Sequence, residues 1–304
     1  MFQKIKYLAK KYNASSNVIN NVNKLIDCKI KSNHLLNLAL VSSEPITQPL
    51  ETGQTELIVS FTTYNKRIHD VHLVIESIAQ QTVKPNRMIL WLDEDEFTLE
   101  NIPLILNKQI SRGLEVRFCP DYRSYKKLIP TIQAYPDSNV ITIDDDILYP
   151  YDMIEILCKE HKQYPKCIIG HRAHKITQDL DFNILPYSQW EYETIENTQG
   201  DLIFITSGGG TFFPKNCFND EVLNSDAFLS MCPNADDVWF KVMSLLNSAK
   251  CKKVNDARGF SERFLLLEHS QDIGLYNTNQ KEAGNDNQIK TVFSYYDLYK
   301  KLSD

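Results

Sequence analysis

The chain has 304 residues, of which 42% are hydrophobic and 24% charged, with a formal charge of −6. That composition excludes a disordered or collagen-like chain and allows a sizeable core, as one large domain or two smaller ones. Seven cysteines without a C-x-x-C pair argue against a disulfide framework or a zinc ribbon and for a reducing compartment.

Residues 1–43 carry seven lysines (Lys4, Lys6, Lys10, Lys11, Lys24, Lys29, Lys31) against one acid, Asp27, so this segment holds +6 and the remainder −12. Phe2, Ile5, Leu8, Ala9 and Tyr12 recur at helical spacing, which predicts a basic amphipathic arm. Two uses stay open for it: contact with an anionic membrane surface, or packing of its apolar face on the chain's own body. Nucleic-acid binding is not expected, because the acidic body repels phosphate backbones and no recognition motif accompanies the lysines. No run approaches 18 apolar residues, and no apolar run with a small-residue cleavage site opens the chain. Neither a membrane span nor a secretory signal is expected, and the cytoplasm is the expected location, at most peripheral on the inner face of the membrane.

Residues 44–56 are polar, contain two prolines and show no periodicity, so they read as a linker. The body then alternates apolar runs with helical patterns. Strands are predicted over 57–61, 88–92, 114–118 and 140–143, and helices over 71–79 and 128–134. Continuous apolar strands linked by helical crossovers predict an α/β fold, with a mostly parallel sheet covered by helices on both faces.

In such sheets ligands gather at the carboxyl ends of the strands. Those ends are polar here: Thr62-Thr63-Tyr64-Asn65-Lys66-Arg67, Asp93-Glu94-Asp95-Glu96, Pro120-Asp121-Tyr122 and Asp144-Asp145-Asp146. Three adjacent carboxylates after an apolar strand repel one another and are costly to desolvate, unless a divalent cation or a hydrogen-bond network compensates them. Oxygen-only ligands suit Mg²⁺ or Mn²⁺, with phosphate oxygens completing the shell. The bland alternative is a solvated acidic turn before a helix starting near Tyr151.

A second constellation lies further on. A predicted strand over 201–205 leads into Gly208, Gly209 and Gly210, three of only ten glycines, which suggests backbone approaching a ligand or a turn. Asp236 and Asp237 open a helix whose Val238, Val242 and Leu245 share a face. One acid there serves as a cap; a pair exceeds what a cap needs.

Taken in order, the strand Val59-Ser-Phe-Thr-Thr-Tyr64 with Arg67, Ser77-Ile-Ala-Gln-Gln81, Ile89-Leu-Trp-Leu92, Tyr125-Lys-Lys-Leu-Ile-Pro130, Asp144-Asp145-Asp146, the Gly208 triplet and Ala235-Asp-Asp-Val-Trp-Phe240 make residues 57–270 resemble GT-A-fold glycosyltransferases of bacterial surface-polysaccharide assembly, such as lipopolysaccharide O-chains and capsules. The resemblance implies a Rossmann-like nucleotide-binding half over 57–150, an acceptor half over 151–270, and a D-x-D site for Mn²⁺ or Mg²⁺. It implies that Asp146 ligates the metal and that Asp144 touches the ribose or the metal's shell, with Asp145 between them ambiguous. Thr62, Tyr64, Arg67 and Asp93 would grip a nucleotide sugar, UDP- or GDP-linked, while Lys126 and Lys127 would neutralise its diphosphate. Gly208, Gly209, Gly210 and Trp239 would meet the acceptor, a glycan or lipid-linked glycan. Asp237 would be the general base, with Asp236 beside it, and His269 would join the metal shell. His171 and His174 either line the cleft or end a strand. Residues 271–304 read as a lid or a docking tail. Two other readings remain: a haloacid-dehalogenase-like phosphatase, weakened by Leu148 where that family has Thr or Val, and a binding module that keeps the fold without turnover.

Overall fold

The computed structural model describes residues 2–267 and 284–302, with side chains from residue 18 onward. A helix, α1 (Phe2–Val41), precedes β1 (Leu57–Thr62), α2 (Val71–Ala79), β2 (Arg87–Asp93), α3 (Leu104–Ile110), β3 (Leu114–Cys119), α4 (Ile129–Ala134) and β4 (Asn139–Thr142). Then come β5 (Ile147–Leu148), α5 (Met153–Gln163), β6 (Ile168–Gly170), β7 (Ala173–Lys175), β8 (Ile203–Ile205) and β9 (Thr211–Phe213). The chain continues through α6 (Ser225–Met231), α7 (Asp236–Leu246), β10 (Cys251–Lys253), α8 (Phe260–Arg263), β11 (Leu265–Leu266) and α9 (Gly284–Tyr295).

Seven strands form the central sheet in the order β10-β6-β9-β4-β1-β2-β3. All pairings are parallel except those of β9, which runs antiparallel to both β4 and β6. The fold is thus α/β with a mostly parallel sheet, compatible with a Rossmann-like arrangement. The antiparallel insertion of β9 was not expected, and the strand foreseen over 201–205 is β8, which pairs with β7 outside the main sheet.

Helices cover both faces, which explains the unbroken apolar strands. Val59 and Phe61 of β1, with Met88, Leu90 and Leu92 of β2, join one core with α2, α3 and α5; Ile58, Ile89 and Trp91 point the other way. α2 is buried all round, Glu76 included. That carboxylate takes Arg112 Nη1 at 2.6 Å and Gln109 Nε2 at 2.7 Å, which satisfies a charge otherwise costly to bury.

The end of α1 belongs to this body. Leu35 and Ala39 are fully buried, Lys31 Nζ donates to Tyr149 O at 2.8 Å, and Cys28 Sγ lies 3.4 Å from Leu266 O. The following segment is pinned rather than loose: Ile46 is fully buried and its N–H donates to Arg112 O at 2.9 Å. At the other end, Val292, Phe293, Leu298 and Leu302 pack with α7 in the second core, so residues 284–302 form a wall of the body and not a free tail.

Register places the chemistry. Asp93 pairs with Cys119 across β2–β3, Thr62 with Trp91 across β1–β2, and Ser60 with Thr142 across β1–β4. The polar segments after β1, β2, β3 and β4 therefore emerge at one edge of the sheet.

Candidate active site

At that edge lies a cavity of about 650 Å³. Its walls are the four strand ends, the turn Arg123–Lys127, Ser207 and the start of α7, with Tyr187, Phe204 and Asn285 closing the far side.

The three consecutive aspartates do not act alike. Asp145 turns inward, where Thr63 Oγ1 donates to its Oδ2 at 2.6 Å and Arg67 Nη1 to its Oδ1 at 2.7 Å. Burial raises its pKa, and Arg67 and the Thr63 hydroxyl offset the rise. Arg67 Nη2 also reaches Asp146 Oδ2 at 3.2 Å, and the guanidinium stacks 5.2 Å from the Tyr64 ring centre. Arg67 therefore holds the aspartate segment in shape, and Asp145 anchors it, while both side chains line the cavity. Thr62 lines the cavity, but its hydroxyl donates to Trp91 O at 2.8 Å.

Asp144 and Asp146 face the cavity, with side chains 30% and 15% exposed. Tyr149, fully buried, fixes the first of them: its hydroxyl accepts from the Asp144 N–H at 2.8 Å and donates to Gly208 O at 3.2 Å. Among the described residues no three His, Cys, Asp or Glu side chains form a complete metal cage. Two hard carboxylates opening onto a cavity do fit an incomplete shell for Mg²⁺ or Mn²⁺ whose remaining positions a ligand fills. His269, expected in that shell, lies outside the described residues.

Lys126 and Lys127 are buried, contrary to the habit of lysines on a short helical turn. Lys126 Nζ donates to Asp121 Oδ1 at 2.6 Å and lies 3.8 Å from Asp93 Oδ2. Lys127 Nζ donates to Asp144 Oδ1 at 3.2 Å and Ser207 Oγ at 2.7 Å. It also forms an ion pair with Asp236 Oδ2 at 2.9 Å, whose alignment falls short of a hydrogen bond. Burial alone would discharge Lys127, but the charges of Asp144, Asp236 and Asp237 outweigh it and keep the ammonium protonated. One cation thus joins the strand-end aspartate to the acidic pair on α7.

Within that pair the two acids differ. Asp236 accepts from Ser124 Oγ at 3.0 Å and is neutralised by Lys127. Asp237 receives only a long contact from Ser207 N at 3.4 Å, and its pKa is raised from 3.8 to about 7 by burial and by the charge of Asp236, against the pull of Lys127. A carboxyl tuned to that range exchanges protons readily near neutrality.

Charge over the whole cavity is unbalanced. Asp93, Glu96, Asp121, Asp144, Asp145, Asp146, Asp236 and Asp237 line it against Arg67, Arg123, Lys126 and Lys127. Eight carboxyl groups meet four cations, three of which each engage two acids. An anionic ligand entering here is repelled unless a cation accompanies it.

Several expected residues stand elsewhere. Trp239 is fully buried in the second core with Nε1 donating to Val222 O at 3.2 Å, so it meets no acceptor. Of the glycine segment, Ser207 reaches the cavity. Gly209 and Gly210 pack inward: an added Cβ would lie 2.9 Å from His171 Cβ and 2.9 Å from Met153 Sδ respectively, and Gly210 has φ +88°. Gly208 lies behind Asp144, where an added Cβ would sit 3.6 Å from Asp144 Oδ2. The glycines allow close packing, which corrects their assignment to the acceptor. His171 and His174 are buried with pKa values lowered to about 4, mainly by burial, and stay neutral within the scaffold.

Tyr187, Phe204, Asn234 and Asn285 line the cavity without having been foreseen. Tyr187 and α9 meet through the Tyr187 N–H, which donates to Asp286 Oδ1 at 2.6 Å across 99 residues of chain. Arg123 Nη1 donates to Asn234 Oδ1 at 2.8 Å and tightens the same rim. No family model and no curated protein matches this chain.

Proposed function

We propose that this chain is a glycosyltransferase that moves a sugar from a nucleoside-diphosphate donor to a hydroxyl of a glycan or lipid-linked glycan, with a divalent cation. The observation that carries the reading is the juxtaposition of two acidic groups across one cavity. Asp144 and Asp146 stand at the end of β4, Asp236 and Asp237 at the start of α7, and Lys127 joins them. The GT-A reading of the fold rests on the same motif order and on a parallel sheet interrupted by antiparallel β9.

Asp144 and Asp146 would hold Mg²⁺ or Mn²⁺, which supplies positive charge to the diphosphate as the sugar bond breaks. The surplus of carboxylates supports that requirement, because three of the cavity's four cations are already paired with acids. Asp237, ionised above about pH 7, accepts the proton of the acceptor hydroxyl at a carboxylate oxygen, and its long contact to Ser207 N leaves it the more weakly hydrogen-bonded acid of the pair. Asp236 pairs with Lys127, and its charge raises the basicity of Asp237. The Tyr187, Asn234 and Asn285 rim offers aromatic and amide groups of the kind that bind sugar hydroxyls.

The test is product analysis with Mn²⁺ and a panel of UDP-, GDP-, CMP- and dTDP-sugars. Release of one nucleotide, lost in Asp237→Asn, supports transfer or its hydrolytic side reaction. Release of inorganic phosphate from p-nitrophenyl phosphate, with every nucleotide sugar intact, replaces the proposal with the phosphatase reading.

A further inference from the structure

A second, smaller cavity lies behind Asp237. It encloses about 20 Å³ between α7 and the sheet, with walls from β6, β8 and β9 and from Phe240. A buried water needs about 10–15 Å³ of such space and about two to four polar partners, so the cavity has room for one. Asp237 lines this cavity and the large one alike, and so stands between them.

Polar groups converge there although the surroundings belong to the apolar second core. Thr211 on β9, Lys241 on α7 and Cys251 on β10 join Asp237 in the lining and are 1%, 3% and 2% exposed. Asp237 and Lys241 are four residues apart on α7, hence on one face of it. Among the described residues Thr211 Oγ1 has no hydrogen-bond partner. Thr142, opposite it on β4, does not supply one, since its own hydroxyl is likewise unpartnered. Lys241 Nζ donates to Cys251 Sγ at 3.6 Å, a weak acceptor for a buried amine. The Asp237 carboxyl accepts from Ser207 N at 3.4 Å. An orphaned hydroxyl, a weakly bonded amine and a weakly bonded carboxyl around one cavity are costly unless a polar group joins them.

We propose that the small cavity binds one water molecule that joins Asp237 to Thr211 and Lys241, and that these two side chains are positioning residues for Asp237. The water accepts from Lys241 Nζ and donates to the Asp237 carboxylate and to Thr211 Oγ1, which uses both of its protons. Asp237 is thereby held from behind while it faces the large cavity, where Asp236, Lys127 and Asp144 act on it. Lys241 and Cys251 are the titratable groups on its inner side. A hydrogen bond to the ionised carboxylate opposes the upward push of burial and of Asp236. The water site stands without the reaction; the use of this positioning in catalysis rests on the transfer reading, in which Asp237 is the base.

The experiment uses the full chain and needs no turnover. Crystal structures that place ordered water should show, in the wild type, one water within about 3.2 Å of Thr211 Oγ1, Lys241 Nζ and an Asp237 oxygen, and none in Thr211→Val. The Asp237 titration is read from urea unfolding over about pH 5–9, as the stability gap between each chain and the same chain carrying Asp237→Asn. Its midpoint, about 7 in the wild type, should rise by about one pH unit in Thr211→Val and in Lys241→Met, the scale of one hydrogen bond to a carboxylate. Valine has the branched shape of threonine, so Thr211→Val decides the test should Lys241→Met fail to fold. A dry cavity in the wild type overturns the proposal, as does a midpoint that Thr211→Val leaves unmoved. A moved midpoint in a chain that consumes no nucleotide sugar supports the water site and removes the transfer reading, so the two fail separately.

Discussion

Replacing Asp237 by Asn should stabilise the protein while disabling it, and the gain should depend on pH. The Asp237 carboxyl titrates near 3.8 in an unfolded chain and near 7 in the fold, so between those values only the folded state keeps the proton. Stability then falls as pH rises through that window, by about 1.4 kcal/mol per unit, and levels off above about pH 7. The cost of ionising Asp237 is absent below about pH 4, about 1–2 kcal/mol at pH 5, and at most about 4 kcal/mol at pH 8. Asparagine keeps an acceptor for Ser207 N and carries no charge to desolvate. Urea unfolding in metal-free buffer should therefore show Asp237→Asn more stable than wild type by about 2–4 kcal/mol at pH 8, with less than half that gap at pH 5. Turnover should drop by about a hundredfold or more. A variant less stable than wild type at pH 8, or a gap independent of pH, would refute the placement of Asp237 as an acid whose proton the fold retains.

Lys127→Met removes the charge that lowers the pKa of Asp237, so the acidic limb of the pH–rate profile should move to higher pH, and unfolding should cost about 3 kcal/mol less because Asp144 and Asp236 lose their cation. In Tyr149→Phe the Asp144 N–H and Gly208 O lose their partner, which should cost about 1–3 kcal/mol in stability and weaken metal-dependent nucleotide binding, read by calorimetry. Arg112→Ala leaves Glu76 buried and uncompensated and should destabilise by about 3–5 kcal/mol in urea, with nucleotide affinity unchanged at temperatures where the variant is folded.

Much of the scaffold was legible because its strands are continuous apolar runs at regular intervals: 57–61, 88–92, 114–118 and 140–143 correspond to β1, β2, β3 and β4. The cavity's two acidic groups were also visible as clustered like charge, which a chain rarely tolerates without compensation. What escaped depends on distance along the chain. A three-residue strand such as β9 has too few positions to show a period, so its antiparallel insertion between β4 and β6 had no local signal. Lys126 and Lys127 were assigned to a diphosphate, and their burial had no local signal because it depends on Asp93, Asp121, Asp144 and Asp236, contributed by other segments. The glycine triplet suggested a ligand loop, yet the close approach that requires glycine is to His171 and Met153. Arg67 was assigned to a nucleotide and Asp145 left ambiguous, because the bond between them joins segments 78 residues apart.

Titration of nucleotides into wild type and Asp146→Ala, with and without Mn²⁺, followed by thermal unfolding, bears most directly on the proposed site. Binding to the folded state alone at about 100 times Kd adds roughly 2.7 kcal/mol of stability. The account requires that one nucleoside diphosphate raise the melting temperature of the wild type with Mn²⁺, and that the rise vanish without the metal or in Asp146→Ala. A nucleotide-induced rise of equal size in all four conditions would contradict a cation held at the end of β4, and no rise with any nucleotide would remove the donor site itself.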